Sequence, residues 1–420
     1  MNIMNETQHI PAGYKLSPLG PIPEDWEVKR LGDLCENKGD YGLNAPATDY
    51  SVNLPTYLRI TDIDDNGNFI HSTKKSVDNL SAKEYYLKDG DIVFARTGAT
   101  VGKTYLYDVR DGQLVYAGFL IKFSPNPNKL IPYYLKAHTE TKDYTNWVAI
   151  TSQRSGQPGI NAAEYCSLKL AIPPIEEQER ICNVLQLWDT AISKQAQLVE
   201  KLTLRKRGLM QQLLTGKKRL KGFGGEWGYH KIQDHFTEIR DKNDGKGHIP
   251  MTISAKVGLV SQTHKFDRIV AGNSLDKYTL LHKGDFAYNK GNSNLYEMGC
   301  IYRLKEESAV VPFVYICFRV VDDTCCEFYQ QFFINHGLDK QLKQIITSGA
   351  RGDGLLNVNS EDFMALKIPY PPIKEQQAIA SILNNADKEI ELANKKLARL
   401  QEEKKGLMQV LLTGKKRITY

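Results

Sequence analysis

Pro173-Pro174-Ile175-Glu176-Glu177-Gln178 opens a run that closes on Leu213-Leu214-Thr215-Gly216-Lys217-Lys218-Arg219, and this run occurs twice in the chain. The second copy opens with Pro371-Pro372-Ile373-Lys374-Glu375-Gln376 and closes on Leu411-Leu412-Thr413-Gly414-Lys415-Lys416-Arg417. Residues 173–220 and 371–418 align without a gap at an offset of 198, with 22 identities in 48 positions. That is an internal duplication, and it governs how everything else is read. Proline cannot sit inside a helix but can open one, and glycine followed by basic residues suits a helix end. Each copy therefore predicts one helix of about 40 residues, about 60 Å long at 1.5 Å per residue.

Steps of four and three along the first copy reach Ile181, Leu185, Trp188, Ile192, Val199 and Leu202. In the second copy they reach Ile379, Leu383, Ile390, Leu397 and Leu400. This is a heptad seam, and its only charged members are Lys206 and Lys404, at equivalent positions. A helix of that length exceeds the width of a domain of about 150 residues, so it must project or bridge. The simplest partner for one narrow seam is the other copy. The expected arrangement is an antiparallel helix pair, against the alternative of two amphipathic helices each lying on its own domain. Lysine in the seam either fixes the register or reaches out to solvent.

Outside the two copies the repeat survives only as landmarks whose offset drifts. Asp25-Trp26 matches Glu226-Trp227 at 201, Gly90-Asp91-Ile92 matches Gly284-Asp285-Phe286 at 194, and Ile131-Pro132-Tyr133 matches Val311-Pro312-Phe313 at 180. Loops have been gained and lost between them, so the chain alternates variable and constant parts: 1–172, 173–219, 220–370 and 371–420. In the first variable part, strands are expected over 56–60, 91–96, 104–109 and 114–123, with a helix over 132–147. The second should match, with strands near 285–288 and 299–304 and a helix from Pro312. The fold class is α+β: two similar globular domains separated by two long antiparallel helices, with an internal pseudo-twofold.

At 420 residues the chain has room for two or three domains, and 41% hydrophobic content is enough for sizeable cores. The longest mostly apolar stretch, 310–318, is far shorter than the roughly 20 residues a membrane span requires. The N-terminus is polar and lacks the apolar core of a secretion signal. Seven cysteines without a Cys-x-x-Cys spacing argue against a disulfide framework or a zinc site and favour a reducing cytoplasm. A net charge of +6 permits a polyanionic partner.

Catalytic signatures fail one by one. Gly98-Ala99-Thr100-Val101-Gly102-Lys103-Thr104 is one residue short of a phosphate-binding loop and leads into a strand-like segment, not a helix. It reads as a tight glycine turn exposing Arg96 and Lys103. Gly222-Phe223-Gly224-Gly225 follows a helix stop and reads as linker. Tyr370-Pro371-Pro372-Ile373 lacks the amide or acid and the aromatic of an adenine methyltransferase tetrapeptide. Glu27-Val28-Lys29 lacks the upstream acid of a metal-dependent nuclease. The nine histidines show no pair at ligand spacing. The sequence thus offers no catalytic residues and no metal ligands.

Two divergent domains alternating with two near-identical helical segments resemble the specificity (S) subunit of type I restriction–modification systems. The resemblance is carried by Trp26-Glu27-Val28-Lys29-Arg30-Leu31, Tyr57-Leu58-Arg59-Ile60-Thr61-Asp62-Ile63, Gly90-Asp91-Ile92-Val93, Ser155-Gly156-Gln157-Pro158-Gly159-Ile160-Asn161 and both helical segments. It implies that each variable part is a target recognition domain reading one half of a bipartite, asymmetric double-stranded DNA sequence. It implies that the helices form a spacer and dock two methyltransferase (M) subunits, which bring S-adenosylmethionine and methylate adenine at N6. Two restriction (R) subunits using ATP and magnesium can join them. The S chain itself binds no cofactor and catalyses nothing, and the system serves in defence against phage. The apolar residues beyond the seam then become the M-docking face: Ile175, Leu209, Met210 and Leu214, with Ile373, Leu407, Met408 and Leu412.

Arginine suits guanine, and asparagine or glutamine suits adenine, so loop residues of these kinds are the candidate DNA contacts. In the first half they are Arg59, Arg96, Thr100, Lys103, Gln153 and Arg154, and in the second Lys290, Asn292, Asn294 and Arg351. Asn289-Lys290-Gly291-Asn292-Ser293-Asn294 replaces the segment from Arg96 to Lys103, so the two half-sites should differ. Two rival readings remain: a fused methyltransferase or nuclease with disguised motifs, and a coiled-coil interaction protein that does not bind DNA.

Overall fold

The structure is a computed structural model that describes residues 10–255, 257–263, 272–291, 296–346 and 356–418. Two helices of 39 residues dominate it, Ile175–Leu213 and Ile373–Leu411. The chain divides into two compact units. The first takes residues 1–195 and 396–420, and the second takes 196–395. Each unit therefore holds one globule, one end of its own long helix and the opposite end of the other, so the division cuts across the four segments read from the repeat.

In the first unit the start of one long helix runs antiparallel to the end of the other. Glu177 meets Arg417 at 2.6 Å and Asp189 meets Lys404 at 2.7 Å, so one index rises as the other falls. In the second unit Lys206 meets Asp387 at 2.6 Å, and Arg205 pairs with Glu389. The seam lysines are thus held by carboxylates one helix away. Burial works against the charge of Lys404, but Glu140 and Asp189 more than offset this and its pKa is raised. Of the seam, Ile181, Leu185, Ile379 and Leu383 are fully buried. Trp188, Ile192, Val199, Leu202, Ile390, Leu397 and Leu400 are half-buried. The buried members pack into the globules as well as onto the facing helix: Ile181 and Leu185 share a core with Tyr134, Leu168, Met408 and Leu411.

The first globule carries two four-stranded sheets. One runs Asp40–Tyr41, Leu120–Phe123, Ile92–Ala95, Thr104–Leu106, antiparallel throughout. The other runs Leu114–Tyr116, Thr56–Leu58, Lys75–Ser76, Thr48–Asp49 and opens with a parallel pair. A further pair, Glu27–Arg30 with Lys169–Ile172, delivers the chain to Pro173. Trp26, Phe94, Phe123, Tyr134 and Tyr165 fill the core between sheet and helices. The second globule repeats this plan. Phe236–Glu238, Ile316–Val320, Phe286–Asn289 and Cys300–Arg303 form its antiparallel sheet. Gly258–Ser261, Ile249–Ser254, Ser308–Val311 and Thr279–His282 form the sheet with a parallel pair.

Several expected elements change. The strand over 114–123 is two strands, Leu114–Tyr116 and Leu120–Phe123, lying in different sheets. The helix over 132–147 is also two, Pro132–His138 and Lys142–Thr151. No helix starts at Pro312. That residue follows the strand Ser308–Val311, and the chain turns into the strand Ile316–Val320 before a helix begins at Cys326. The true counterpart of Ile131 is Cys325, as hydrogen bonding shows: the Gln178 side-chain oxygen accepts from the Ile131 amide at 3.0 Å, and that of Gln376 accepts from Cys325 at 3.0 Å.

Those glutamines explain half of the repeated opening motif. Gln178 and Gln376 are wholly buried. Their amide groups donate back to Pro173 O at 3.1 Å and Pro371 O at 2.9 Å, binding helix start to globule. The glutamate before each explains the other half. Glu177 accepts the Trp26 indole N–H at 3.0 Å and the Arg417 guanidinium; Glu375 accepts the Trp227 indole at 3.0 Å and Arg219. At the far end Gly414 and Gly216 take positive φ, +71° and +67°, as helix-terminating glycines do. A Cβ on Gly414 would come within 2.4 Å of Pro23 and 3.3 Å of Trp26, so no larger residue fits there.

Candidate functional site

Four segments of the first globule converge beside its antiparallel sheet. The strand Ile92–Ala95 runs into a glycine turn in which Gly98 and Gly102 both hold positive φ, +76° and +86°. The turn's amides at Gly98, Val101, Gly102 and Lys103 go to backbone carbonyls of Pro158, Gly98, Ala95 and Thr100. A strand, Thr104–Leu106, follows directly. Four of the turn's amides are thus engaged by backbone carbonyls, and a strand, not a helix N-terminus, follows it. The segment 157–160 lies against it: Gly98 N donates to Pro158 O at 2.9 Å, and Ile160 N to Arg96 O at 2.9 Å. The segment 117–120 closes the other side, with Phe119 O accepting from Arg96 N at 3.0 Å and Gly118 N donating to Leu43 O at 2.8 Å.

Arg96 is half-exposed at this junction, its guanidinium 4.8 Å from the Tyr41 ring centroid. Thr100 belongs to the short turn Gly98–Thr100, where its hydroxyl is buried without a hydrogen-bond partner. Gln153 is exposed and offers its carbonyl to Arg154. The remaining basic candidates are tied up. Arg59 clasps Asp62 through Nε at 2.8 Å and Nη2 at 2.6 Å, and this bond raises its pKa. Arg154 is bound to Glu164. Lys103, expected to be exposed on the turn, sits 2.6 Å from Asp65 and lowers that carboxyl's pKa. In the second globule Lys290 donates to Val358 O at 3.2 Å. Asn292, Asn294 and Arg351 lie outside the described residues.

The docking candidates are placed otherwise than expected. Met210, Leu214, Met408 and Leu412 are core, with 7%, 1%, 3% and 0% exposure. Leu209 and Leu407 are partly buried against the same cores. These six are apolar because they close each unit around its borrowed helix end, so they are not a free face. Ile175 and Ile373 are half-buried at the helix starts.

Sequence reading missed Tyr41 and Phe119, which are 42% and 57% exposed beside Arg96. An exposed aromatic after Gly118 was the available signal. It also scattered histidines that the fold gathers. His235 Nδ1 lies 2.6 Å from Asp322 and its Nε2 lies 2.7 Å from His230 Nδ1, with both rings stacked on Tyr370. Their nitrogens bond to each other and do not converge on one point. Among the described residues no group of three or more His, Cys, Asp or Glu could hold a metal. None of the seven cysteines forms a disulfide. No described helix is long and apolar enough to cross a membrane.

The chain resembles known proteins over most of its length. The family model for the type I restriction modification DNA specificity domain matches residues 23–204 and 277–402. The chain is similar to a putative type I restriction enzyme MjaX specificity subunit of Methanocaldococcus jannaschii, 28% identical over 96% of this chain and 97% of that one. Its fold resembles the type I restriction-modification S subunit of M. genitalium, with a TM-score of 0.54 at 13% identity, over 94% and 97% of the two chains. It also resembles a chain solved in a study of complex assembly and conformational transition of a type I system, with a TM-score of 0.57 at 16% identity over 94% and 99%.

Proposed function

Because the chain belongs to the type I restriction–modification DNA specificity family, we propose that it reads a bipartite double-stranded DNA target, one half-site with each unit, and carries that reading into a complex with methyltransferase subunits. The observation that carries this is the contrast between frame and turn. Both units share the buried Trp–Glu–Arg and Gln contacts, yet Arg96 in one is replaced by Lys290 in the other, each the first residue after the equivalent strand. A constant frame with exchanged turns suits two readers of different sequences. Base edges in the major groove specify, and phosphate contacts position.

In this reading the chain is a non-catalytic subunit. Two M subunits supply S-adenosylmethionine chemistry at adenine N6, and two R subunits bring ATP and magnesium. The assembly works in the cytoplasm, where the chromosome lies. The test is to combine the purified chain with its M subunits, supply S-adenosylmethionine and mixed duplex DNA, and map the methylated adenines. A single split motif, absent when this chain is left out, is expected. Methyl transfer by the chain alone would establish the enzymatic alternative. Methylation with no motif, or no selective binding with M present, would overturn the reading.

A further inference from the structure

We propose that Arg96 reads a guanine in the half-site served by the first unit, with Tyr41 as the platform that pre-aims it and Phe119 as its apolar flank. The proposal rests on the DNA-reading function above and assigns part of it to one side chain. Three observations combine. Arg59, Arg110, Arg154, Arg399 and Arg417 of this unit each lie on a carboxylate, whereas the Arg96 guanidinium meets an aromatic face and no acid among the described residues. Its backbone is fixed on both sides, donating to Phe119 O and accepting from Ile160 N. The platform is itself held, because the Tyr41 hydroxyl accepts the Ala162 amide at 3.2 Å and Tyr41 pairs with Ile121 in the sheet.

A guanidinium stacked on a ring keeps its planar fork in one orientation while leaving its edge donors free. That edge matches the O6 and N7 acceptors of guanine, the commonest specific arginine contact in the major groove. An arginine serving only a phosphate needs no such aiming. Phe119, bonded to Arg96 through its backbone carbonyl and more than half exposed, offers apolar surface beside that contact. In the second unit Lys290 occupies the corresponding place and turns its ammonium to a carbonyl of its own chain, so the planar fork of Arg96 has no counterpart at that position.

The experiment compares wild type with Arg96→Ala, Arg96→Lys and Tyr41→Leu, each assembled with M subunits and assayed on a library of duplexes varied at every target position. Arg96→Ala should reduce discrimination at one G·C pair of one half-site by about 10- to 100-fold and leave the other half-site unchanged. Arg96→Lys keeps the charge but loses the fork, so it should relax the same pair. Tyr41→Leu should relax that pair to a smaller degree. Uniform weakening at every position, rescued by lysine, would make Arg96 a phosphate contact and overturn the proposal, as would unchanged discrimination in a folded variant. A wild-type complex with no sequence preference would instead refute the DNA-reading function itself.

Discussion

Arg417 closes on Glu177 across 240 residues of chain, Nε at 3.0 Å and Nη2 at 2.6 Å, while its other edge holds Asp25 at 2.7–2.8 Å. Glu177 is almost completely buried, and its remaining partner is the Trp26 indole. Arg417→Ala should leave that carboxylate buried without a counter-charge. Because Arg417 is itself about one-third exposed, the loss should fall at the low end of the range for buried pairs, about 3 kcal/mol. Arg219→Ala should destabilise the second unit in the same direction, through Glu375. Denaturant titration of each variant reads this, and an unchanged midpoint would show that the pair is not structural.

Replacing Met210 and Leu214 together with aspartate should unfold the second unit, not merely block a partner. Both side chains lie in one core with Phe286, Phe328 and Leu383, and burying a charge there costs several kcal/mol. Loss of the melting transition is expected. Retained folding with only M-subunit binding lost would return these residues to an outer face.

His138 gives the first unit an acid-side weakness. Its Nε2 is buried without a partner, and desolvation pushes its pKa down to about 4. The unfolded chain takes up the proton near pH 6.5, before the folded one does. Stability from the neutral ring is therefore complete above that value and is lost as pH falls toward 4, by about 2–3 kcal/mol. His138→Phe, which keeps a ring against Tyr134, should flatten this slope in denaturation midpoints measured from pH 7 to pH 4.

Exchanging residues 1–172 for the matching globule of another family member should change one half-site and leave the other intact. Trp26 must be kept, since Glu177 accepts its indole. Methylated-site mapping is the measurement, and simultaneous change of both half-sites would remove the case for two independent readers.

The helices were legible because prolines and glycines mark their ends and because selection has kept two copies in register. The pairing contacts were legible as a lysine in each seam, but their acidic partners Asp189 and Asp387 were not, since they sit outside the apolar pattern. Pro312 misled because proline opens a helix in one sequence and ends a strand in another. The buried glutamine contacts, which decide between the two, join residues about 50 positions apart. Met210 and Leu214 misled for a related reason: helical periodicity shows that a face is covered, not whether the cover is another part of the same chain. Around the turn after Arg96, sequence supplied the basic residues but not the acidic partners that hold Arg59, Arg154 and Lys103.

The exchange of helix ends also inverts the order in which the units can be finished during synthesis. The second unit has every residue it needs once Lys395 has been made, whereas the first, whose globule leaves the ribosome earliest, still lacks 396–420. Until then Glu177 has no Arg417, and Ile181 and Leu185 have no Met408, Leu411 or Leu412 to cover them. At the usual pace of about 5–20 residues per second, the oldest part of the chain waits for the youngest. A ribosome that stops between Leu185 and Met408 releases a product whose first unit carries an open apolar seat and an unneutralised acid.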